Sequence, residues 1–308
     1  MGNTFYFAWE VALMVFLQSA LGTAGATVAS AISTLGEEMV MIAVLGFFYW
    51  SYDKKGGRYI GLNIVTGAVF FPMIKNVAMR RRPYMDHEAI KCLKPVDAEA
   101  DIMDINAQGY SFPSGHSTNS MLAYGSVARY KKNKIVTTIV AIVVFLVGVS
   151  RFCVGVHYPT DVLCGWALGL IIMFVVPWLD SKFKKDWIIY IILLVVALPG
   201  FFFCTSNDFY TGYGMMLGGF AGFVFEEKYV KFENTKNVLW MIIRVVVGGA
   251  LFFGLNTALK LPFSSAFLES GTMVALLVRT IRYAIVIFLL IGIYPMLFKF
   301  MGSKKTEK

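Results

Sequence analysis

Long apolar runs separated by short basic loops most strongly limit what this 308-residue chain can fold into. Charged residues make up 15% and hydrophobic residues 57% of the sequence, whereas an average soluble domain has about 25% charged residues. Runs of about 17–25 apolar residues can cross a bilayer as helices, which satisfy their own backbone hydrogen bonds in lipid. The sequence therefore predicts an all-α, polytopic helical membrane protein.

The predicted spans follow one another along most of the chain. They cover residues 37–52, 59–77, 115–130, 134–152, 161–179, 187–204, 209–225, 238–259 and 273–298. Residues 4–22 are apolar but contain Glu10 and Gln18, so they form either a first span or, by slight preference, a helix lying in the membrane interface. We predict four segments: an N-terminal helix (1–36), a core (37–180), additional C-terminal membrane helices (181–302) and a basic tail (303–308).

Loop charges predict the orientation of the chain. The loops at 53–58, 129–134 and 181–186 and the C-terminal tail share one side and are net basic. The positive-inside rule makes that side cytoplasmic, so the net charge of +9 does not indicate a nucleic-acid partner. The polar segments 78–112 and 152–160 then face away from the cytoplasm, and we expect the cell membrane as the location.

A polar stretch at 150–161 lies between two apolar runs yet contains Arg151, His157 and Asp161. Ionisable residues at the edge of a span are costly and therefore indicate a functional site. Pro159 favours the first turn of a helix, which places Asp161 one turn beyond His157. Its carboxylate can then accept a hydrogen bond from one ring nitrogen, leaving the other as a nucleophile. The alternative is that Arg151 is an interfacial anchor and that His157 and Asp161 are polar loop residues without a catalytic role.

A basic fragment, the first of three in chain order, lies at the end of the span 59–77. Lys75 and Arg82 are seven residues apart, a spacing that predicts nearly the same helical face for both, and Pro83 ends the helix. Two such cations can hold one anion, but basic residues beside a span are also common anchors. The neighbouring Arg80 and Arg81 either widen the field that attracts anionic head groups or are plain surface charge.

The second fragment in chain order, Pro113-Ser114-Gly115-His116, begins the span 115–130, and the stretch 150–161 is the third. Exposed N–H groups at a helix N-terminus bind anions, and Gly115 allows a ligand to approach the backbone closely. His116 in the first turn can protonate a leaving oxygen. A helix cap with an incidental histidine explains this fragment equally well when it is considered alone.

The C-terminal half carries weaker signals. Gly214, Gly218 and Gly222 recur every fourth residue, which indicates helix-on-helix packing. Arg244 is expected to extend toward the membrane surface. Arg279 and Arg282 share one helical face and are candidates to pair with Glu269 or, less favoured, to contact substrate.

In order and spacing, the three fragments resemble the signature of the type 2 phosphatidic acid phosphatase superfamily. The matching residues are Lys75, Arg82-Pro83, Pro113-Ser114-Gly115-His116, Ser150-Arg151, His157 and Asp161. That superfamily includes integral-membrane lipid phosphatases, glucose-6-phosphatase and soluble vanadium haloperoxidases. The resemblance covers residues 36–180, and a weaker one to C-terminal extensions of some bacterial members follows it.

The resemblance implies a role for each signature residue. His157 would attack phosphorus and form a phosphohistidine, Asp161 would orient it, and His116 would protonate the leaving oxygen and then activate water. The phosphoryl oxygens would be held by Lys75, Arg82, Ser114, Gly115 and Arg151. Fixed cations can neutralise a phosphoryl group without a metal, and no metal-ligand spacing is present, so we expect turnover without a metal or other cofactor.

The leading hypothesis is therefore a phosphatase that acts on a lipid phosphate or diphosphate in the bilayer. Phosphatidate, phosphatidylglycerol phosphate, polyprenyl diphosphate, sphingoid phosphates and a soluble sugar phosphate remain possible substrates, because no motif recognises a tail. A phosphotransferase that passes the group to another lipid is the nearest alternative. A lipid or ion transporter also fits the many spans but leaves both histidine fragments unexplained, and the sequence does not determine whether the chain forms a homodimer.

Overall fold

The computed structural model describes residues 2–302. Within them, fourteen α-helices follow in chain order: α1 Ala8–Ser33, α2 Glu38–Gly46, α3 Lys54–Ala78, α4 Pro83–Asp86, α5 Ile105–Gln108, α6 Gly115–Ser120, α7 Ser126–Lys131, α8 Lys134–Cys153, α9 Pro159–Asp180, α10 Asp186–Ala197, α11 Asn207–Phe225, α12 Val238–Ala258, α13 Ser265–Leu268 and α14 Met273–Phe288. Turns of π-helix at Phe47–Tyr52, Met121–Gly125, Glu226–Val230 and Leu289–Ile293 extend several of them.

Six helical segments of the described residues are long and apolar enough to cross a membrane: Ala8–Gly36, Lys54–Ala78, Lys134–Cys153, Pro159–Asp180, Val238–Ala258 and Met273–Phe300. The predicted all-α, polytopic membrane protein is confirmed. The stretch 115–130 is not one uniform helix, because a π-helical turn separates α6 from α7. Helix α10 is shorter than the predicted span 187–204, since Pro199 removes a backbone donor where the α-helical geometry ends.

The N-terminal apolar run forms α1, which is interrupted at Gly22, where φ is +56°. Its length fits a span, and both predicted placements of residues 4–22, spanning or interfacial, contain a helix there. Glu10 in its first turn is fully buried within the protein. A buried carboxylate needs partners, and those of Glu10 are described below.

The chain divides into two compact units, of residues 2–41 with 70–174 and of residues 42–69 with 175–302. In the first unit, α1 packs against α8. A core cluster there joins Met14 and Ala29 of α1 to residues 84–90 and to the turn at 153–158. The turn between α8 and α9 is therefore held in place by apolar side chains that pack against it.

Glycines let α9 pack closely on α6 in the same unit. A Cβ at Gly165 would lie 2.7 Å from the carbonyl oxygen of Ser114, and one at Gly169 would lie 2.7 Å from Cγ of Met121. Both distances are shorter than real Cβ contacts. Helix α6 with the π-helical turn that follows it and the first three turns of α9 are thus held at a separation that larger side chains would not allow.

The second unit is built around the pair α11 and α14. A Cβ at Gly214 would lie 2.3 Å from the Thr280 carbonyl oxygen, and one at Gly218 would lie 2.1 Å from that of Ala284. These approaches confirm the predicted helix-packing role of the glycine stripe.

Two expectations about arginines in the second unit are wrong. Arg244 does not extend toward the membrane surface: it is fully buried and donates hydrogen bonds to backbone carbonyl oxygens, among them that of Trp50 at 2.7 Å. Arg279 and Arg282 hydrogen-bond to Thr211 and Asn256 rather than pairing with Glu269. Backbone, hydroxyl and amide oxygens within the protein accept hydrogen bonds from the Nη groups of these arginines in place of the expected partners.

Candidate active site

The first fragment is placed by the end of α3. The helix ends at Ala78, Met79 adopts φ +48°, and residues up to Arg82 continue in an extended conformation before α4 begins at Pro83. The predicted shared helical face for Lys75 and Arg82 is therefore wrong, because Arg82 lies beyond the helix. Arg82 is nevertheless buried, with 2% of its surface exposed.

Backbone carbonyl groups fix the direction of the Arg82 guanidinium. It donates to the Gln108 oxygen from Nη2 at 2.7 Å and to the Val156 oxygen from Nη1 at 3.0 Å. Val156 directly precedes His157 in the chain. Since carbonyl oxygens accept these hydrogen bonds without cancelling the charge, Arg82 brings a full positive charge to the base of the His157 turn.

The second fragment begins α6, with Ser114 as its N-cap. The Ser114 hydroxyl oxygen accepts hydrogen bonds from the backbone N–H of Ser117 at 3.3 Å and from its hydroxyl at 2.9 Å. The Ser114 backbone N–H in turn donates to the backbone carbonyl oxygen of Asp161 at 2.9 Å. This bond joins the second fragment directly to the third.

The third fragment is a tight turn between α8 and α9. Gly155 in this turn has φ +81°, and a Cβ there would lie 2.1 Å from the carbonyl oxygen of Lys91. Only glycine fits this position, because both the backbone angle and the neighbouring carbonyl exclude a side chain. The turn brings His157, which is 2% exposed, back over the end of α8 that carries Arg151.

Asp161 is buried in the first turn of α9, next to His157. Its Oδ2 lies 3.5 Å from Nδ1 of His157, a distance too long for a well-formed hydrogen bond, and accepts the backbone N–H of Tyr158 at 2.7 Å. The predicted proximity of the two side chains is present. The predicted hydrogen bond between them is not closed in this structure.

Positive charge surrounds His157. Burial, followed by the charges of Arg82, Arg151 and Lys75 and by the neighbouring His116, lowers the pKa of His157 well below 6.5. The same three cations, together with Lys94, are charged neighbours of His116. The two imidazoles and the three signature cations thus share one electrostatic environment within the first unit.

Arg151 is the least satisfied of these cations. It is 2% exposed, donates from Nη1 to the hydroxyl of Ser33, and has no acceptor for Nε among the described residues. No carboxylate of the described chain forms an ion pair with it, and Glu37 pairs with Lys94 at 2.6 Å instead. A buried cation with spare N–H groups is suited to bind an anion.

Several neighbours of this site lie outside the three fragments. Arg80, assigned either to a general field or to the surface, is 1% exposed and donates to Oδ1 of Asp161 at 2.6 Å, so it is not surface charge. Glu10, Ser33 and Lys94 lie in segments that carry no signature. The sequence singles out only Glu10 of these three, because it is an ionisable residue inside an apolar run. Within residues 2–302, no group of three or more His, Cys, Asp or Glu side chains is placed to hold a metal ion.

Comparisons with known proteins agree with the three fragments. The family model described as the PAP2 superfamily matches residues 56–185, and the one described as the PAP2 superfamily phosphatase, transmembrane extension, matches residues 210–306. Phosphatidylglycerophosphatase B of Bacillus subtilis is 39% identical over 90 residues, which are 26% of this chain and 44% of that protein. Less than half of that relative's length is therefore spanned.

Two further similarities cover more of the chain. Decaprenylphosphoryl-5-phosphoribose phosphatase of Mycobacterium tuberculosis is 32% identical over 168 residues, which are 52% of this chain and 84% of that protein. The crystal structure of a transmembrane PAP2-type phosphatidylglycerolphosphate phosphatase from Bacillus subtilis is 27% identical, with a TM-score of 0.42, and covers 58% of this chain and 90% of that chain. Because the mycobacterial relative is matched over most of its length and both family models follow in order along the sequence, the chain belongs to the PAP2 superfamily and carries its transmembrane extension.

Proposed function

We propose that this protein is a membrane lipid phosphate phosphatase that works through a phosphohistidine on His157. The observation that carries the proposal is the buried Arg151 beside His157, with an Nε that has no acceptor among the described residues. A permanently charged guanidinium is costly to bury without a counter-ion. A phosphoryl group bound against His157 would supply that counter-ion in the position where phosphoryl transfer needs it.

The first chemical step follows from the orientation of His157. Since Nδ1 faces Asp161, Nε2 is the nitrogen available to attack phosphorus. The P–Nε2 bond forms as the bond from phosphorus to the lipid oxygen breaks, and His116 gives a proton to that oxygen. Burial and the charges of Arg151, Lys94, Lys75 and Arg82 lower the pKa of His116 in the ligand-free protein, so His116 takes up this proton only once the bound phosphoryl dianion offsets those cations. The lowered pKa of His157 keeps its imidazole neutral and nucleophilic at neutral pH.

The second step releases phosphate. His116, now neutral, takes a proton from water as the water oxygen attacks phosphorus, and the P–Nε2 bond breaks. Arg151 and the charges of Arg82 and Lys75 balance the equatorial phosphoryl oxygens in both steps. Ser114 and the Gly115 N–H complete the proposed phosphate site, and no step in this scheme needs a metal.

The proposed substrates are lipids. The similar proteins of Bacillus subtilis and Mycobacterium tuberculosis are named as phosphatases of a phosphatidylglycerol phosphate and of a decaprenylphosphoryl phosphoribose. Helices long enough to span the bilayer would allow a tail to remain in lipid while its head group enters the site. This class includes phosphatidate, phosphatidylglycerol phosphate, polyprenyl diphosphates and sphingoid phosphates.

The test is phosphate release by purified protein from a panel of these four lipids and a soluble sugar phosphate, with EDTA present. We expect release from at least one lipid, and none after His157→Ala. Activity that EDTA abolishes would contradict metal-independent turnover. Appearance of a phosphorylated second lipid in place of free phosphate would instead identify a phosphotransferase.

We further propose that the site faces away from the cytoplasm. Helix α8 has 20 residues, about 30 Å at 1.5 Å per residue, and runs from the basic loop 129–134 to the site. Cysteines introduced at exposed Lys132 and at exposed Glu99 test this in intact cells. We expect a membrane-impermeant maleimide to label Glu99→Cys above the wild-type background and to leave Lys132→Cys unlabelled; the reverse pattern would refute the orientation.

A further inference from the structure

Arg80 is one of the most deeply buried charged residues of the described chain. It lies outside the three signature fragments, yet each of its three guanidinium nitrogens donates a hydrogen bond. Nη1 donates to Asp161 at 2.6 Å and Nη2 donates to Glu10 at 3.0 Å. The guanidinium also lies 3.9 Å from the ring centroid of Tyr158, so the group has one defined position.

Arg80 thereby fixes the carboxylate next to His157. Oδ1 of Asp161 is held by Arg80, and Oδ2 is held by the backbone N–H of Tyr158 at 2.7 Å. With both oxygens anchored, the carboxylate cannot rotate away from His157. Nδ1 of His157 then needs to move only a few tenths of an ångström from 3.5 Å to form a normal hydrogen bond.

Glu10 completes the same cluster from α1. Its Oε2 accepts from Arg80, and its Oε1 accepts the hydroxyl of Thr160 at 2.6 Å and the backbone N–H of Thr160 at 2.9 Å. Thr160 directly precedes Asp161 in the chain. Glu10 therefore holds both the arginine that anchors Asp161 and the first turn of the helix that carries it.

The N-terminal segment before α1 is also attached to Arg80. Its Nε donates to the carbonyl oxygen of Phe5 at 2.7 Å. Asn3 forms an isolated parallel β-bridge with Arg80, through Asn3 N–H to Met79 oxygen at 2.7 Å and Arg81 N–H to Asn3 oxygen at 2.9 Å. Residues 3–10 are thus organised around a guanidinium that contacts Asp161.

The formal charges give Glu10 a second effect. With both carboxylates ionised and Arg80 between them, the cluster has a net charge of −1. Phosphorylation of Nε2 with the Nδ1 proton retained makes the His157 ring positive. Without Glu10, Arg80 would cancel the charge of Asp161, and the cluster would stabilise that positive ring less well.

We propose that Arg80 and Glu10 are positioning residues for catalysis: Arg80 anchors the Asp161 carboxylate beside His157, and Glu10 both orients Arg80 and preserves the net negative charge that faces the phosphorylated imidazole. This inference rests on the proposed phosphohistidine mechanism. It assigns a catalytic contribution to the N-terminal helix, which carries no signature residue.

The variants Arg80→Lys, Arg80→Gln and Glu10→Gln test the inference. Matched controls are Arg81→Gln, the adjacent arginine, whose pair with Asp86 lies outside the cluster, and Glu88→Gln, an exposed glutamate. We expect kcat and the rate of phosphohistidine formation to fall about 10- to 100-fold in Arg80→Gln, by analogy with other groups that orient a functional histidine. In Glu10→Gln the two rates fall by a smaller factor. In Arg80→Lys they fall less than in Arg80→Gln, because lysine keeps the positive charge but lacks the two Nη groups that bind Asp161 and Glu10 together.

Two readouts separate positioning from a merely structural role. The KM and the inhibition constant of inorganic phosphate, which occupies the site without a bond to Nε2, stay near wild type in each variant, because the phosphate site itself is unchanged. In an Asp161→Asn background, Arg80→Gln causes no further loss of kcat, since both substitutions remove the same interaction. Arg80→Lys and Glu10→Gln keep the inference testable if the buried charges left by Arg80→Gln prevent folding.

The inference is overturned if Arg80→Lys and Glu10→Gln match wild type in kcat while wild type forms a phosphohistidine. It is also overturned if inhibition by inorganic phosphate weakens in parallel with kcat, or if the Arg80→Gln and Asp161→Asn losses multiply. Wild-type protein that turns over lipid phosphate without any phosphohistidine would refute the proposed mechanism, and this inference with it.

Discussion

Replacing Arg151 by methionine should change activity and stability in opposite directions. Methionine keeps the length of the side chain and removes the guanidinium. In the present structure that group is 2% exposed, donates to the Ser33 hydroxyl and forms no ion pair with a described carboxylate. The side chain therefore carries a charge that the folded protein alone does not neutralise.

The loss of activity can be estimated from the hydrogen bonds available. A guanidinium has five N–H donors, and one of those of Arg151 is donated to Ser33, so a phosphoryl group can accept two in a bidentate arrangement. Hydrogen bonds to charged groups contribute about 1.5–3 kcal/mol each. Loss of two therefore raises the barrier by about 3–6 kcal/mol, or roughly 10²- to 10⁴-fold in kcat/KM.

The gain in stability has a separate cause. Replacing buried charges by apolar side chains of similar volume often stabilises a protein by roughly 1–4 kcal/mol, because desolvation is no longer required. We expect the free energy of unfolding of ligand-free Arg151→Met to rise within this range. Vanadate at 100 times its inhibition constant should add about 2.7 kcal/mol to the wild-type protein and much less to the variant.

The assay combines phosphate release from the best lipid of the panel with thermal unfolding in detergent, each with and without vanadate. Arg129→Met is a matched control, because Arg129 lies at the opposite end of the same unit's helices and donates to the Met173 carbonyl. An Arg151→Met protein that unfolds more easily than wild type, or that keeps wild-type kcat/KM, would refute the assignment of Arg151 as an uncompensated phosphate ligand.

Three further predictions concern pH, the leaving group and the turn. Because Arg151 is one cause of the lowered pKa of His157, the acid limb of kcat/KM should lie below 6.5 for wild type and move to higher pH in Arg151→Met; with the same substrate in both, an unshifted limb contradicts this. His116→Ala should slow hydrolysis of alkyl monoesters far more than formation of phosphoenzyme from p-nitrophenyl phosphate, whose leaving group needs no proton; equal losses in stopped-flow measurements would exclude a general acid. Gly155→Ala, forced to φ +81° against a carbonyl 2.1 Å away, should cost at least about 1–3 kcal/mol and lower activity, whereas Gly249→Ala, with no atom within 4 Å of its Cβ, should leave the unfolding temperature unchanged or slightly raised.

Features with a local cause could be predicted from the sequence. Apolar runs determine the helices, and the four-residue glycine repeat 214–222 determines close packing of α11, because each depends on residues within one element. Pro159 correctly placed the start of α9, and with it the proximity of Asp161 to His157. The convergence of the three fragments came from a resemblance to a known family, since no local rule relates segments separated by about 30 residues or more in sequence.

Features that depend on contacts between distant segments could not be predicted. Helical spacing placed Arg82 on a face of α3, but the helix ends earlier and tertiary hydrogen bonds to the carbonyl oxygens of Gln108 and Val156 orient it instead. Arg80 was indistinguishable in sequence from its neighbour Arg81, because its role depends on Glu10, 70 residues away. The one feature of the sequence that pointed to this cluster was Glu10, a glutamate inside an apolar run.

Phosphoenzyme trapping tests the central claim most directly. Purified protein is mixed with a lipid phosphate that it hydrolyses. The reaction is quenched at alkaline pH, at which phosphohistidine survives, and the protein is digested for mass spectrometry. We predict phosphate on the peptide that contains His157, absent in His157→Ala and accumulating in His116→Ala with an activated substrate. Turnover with no phosphate on His157 under single-turnover conditions, or phosphate on another residue, would contradict the account.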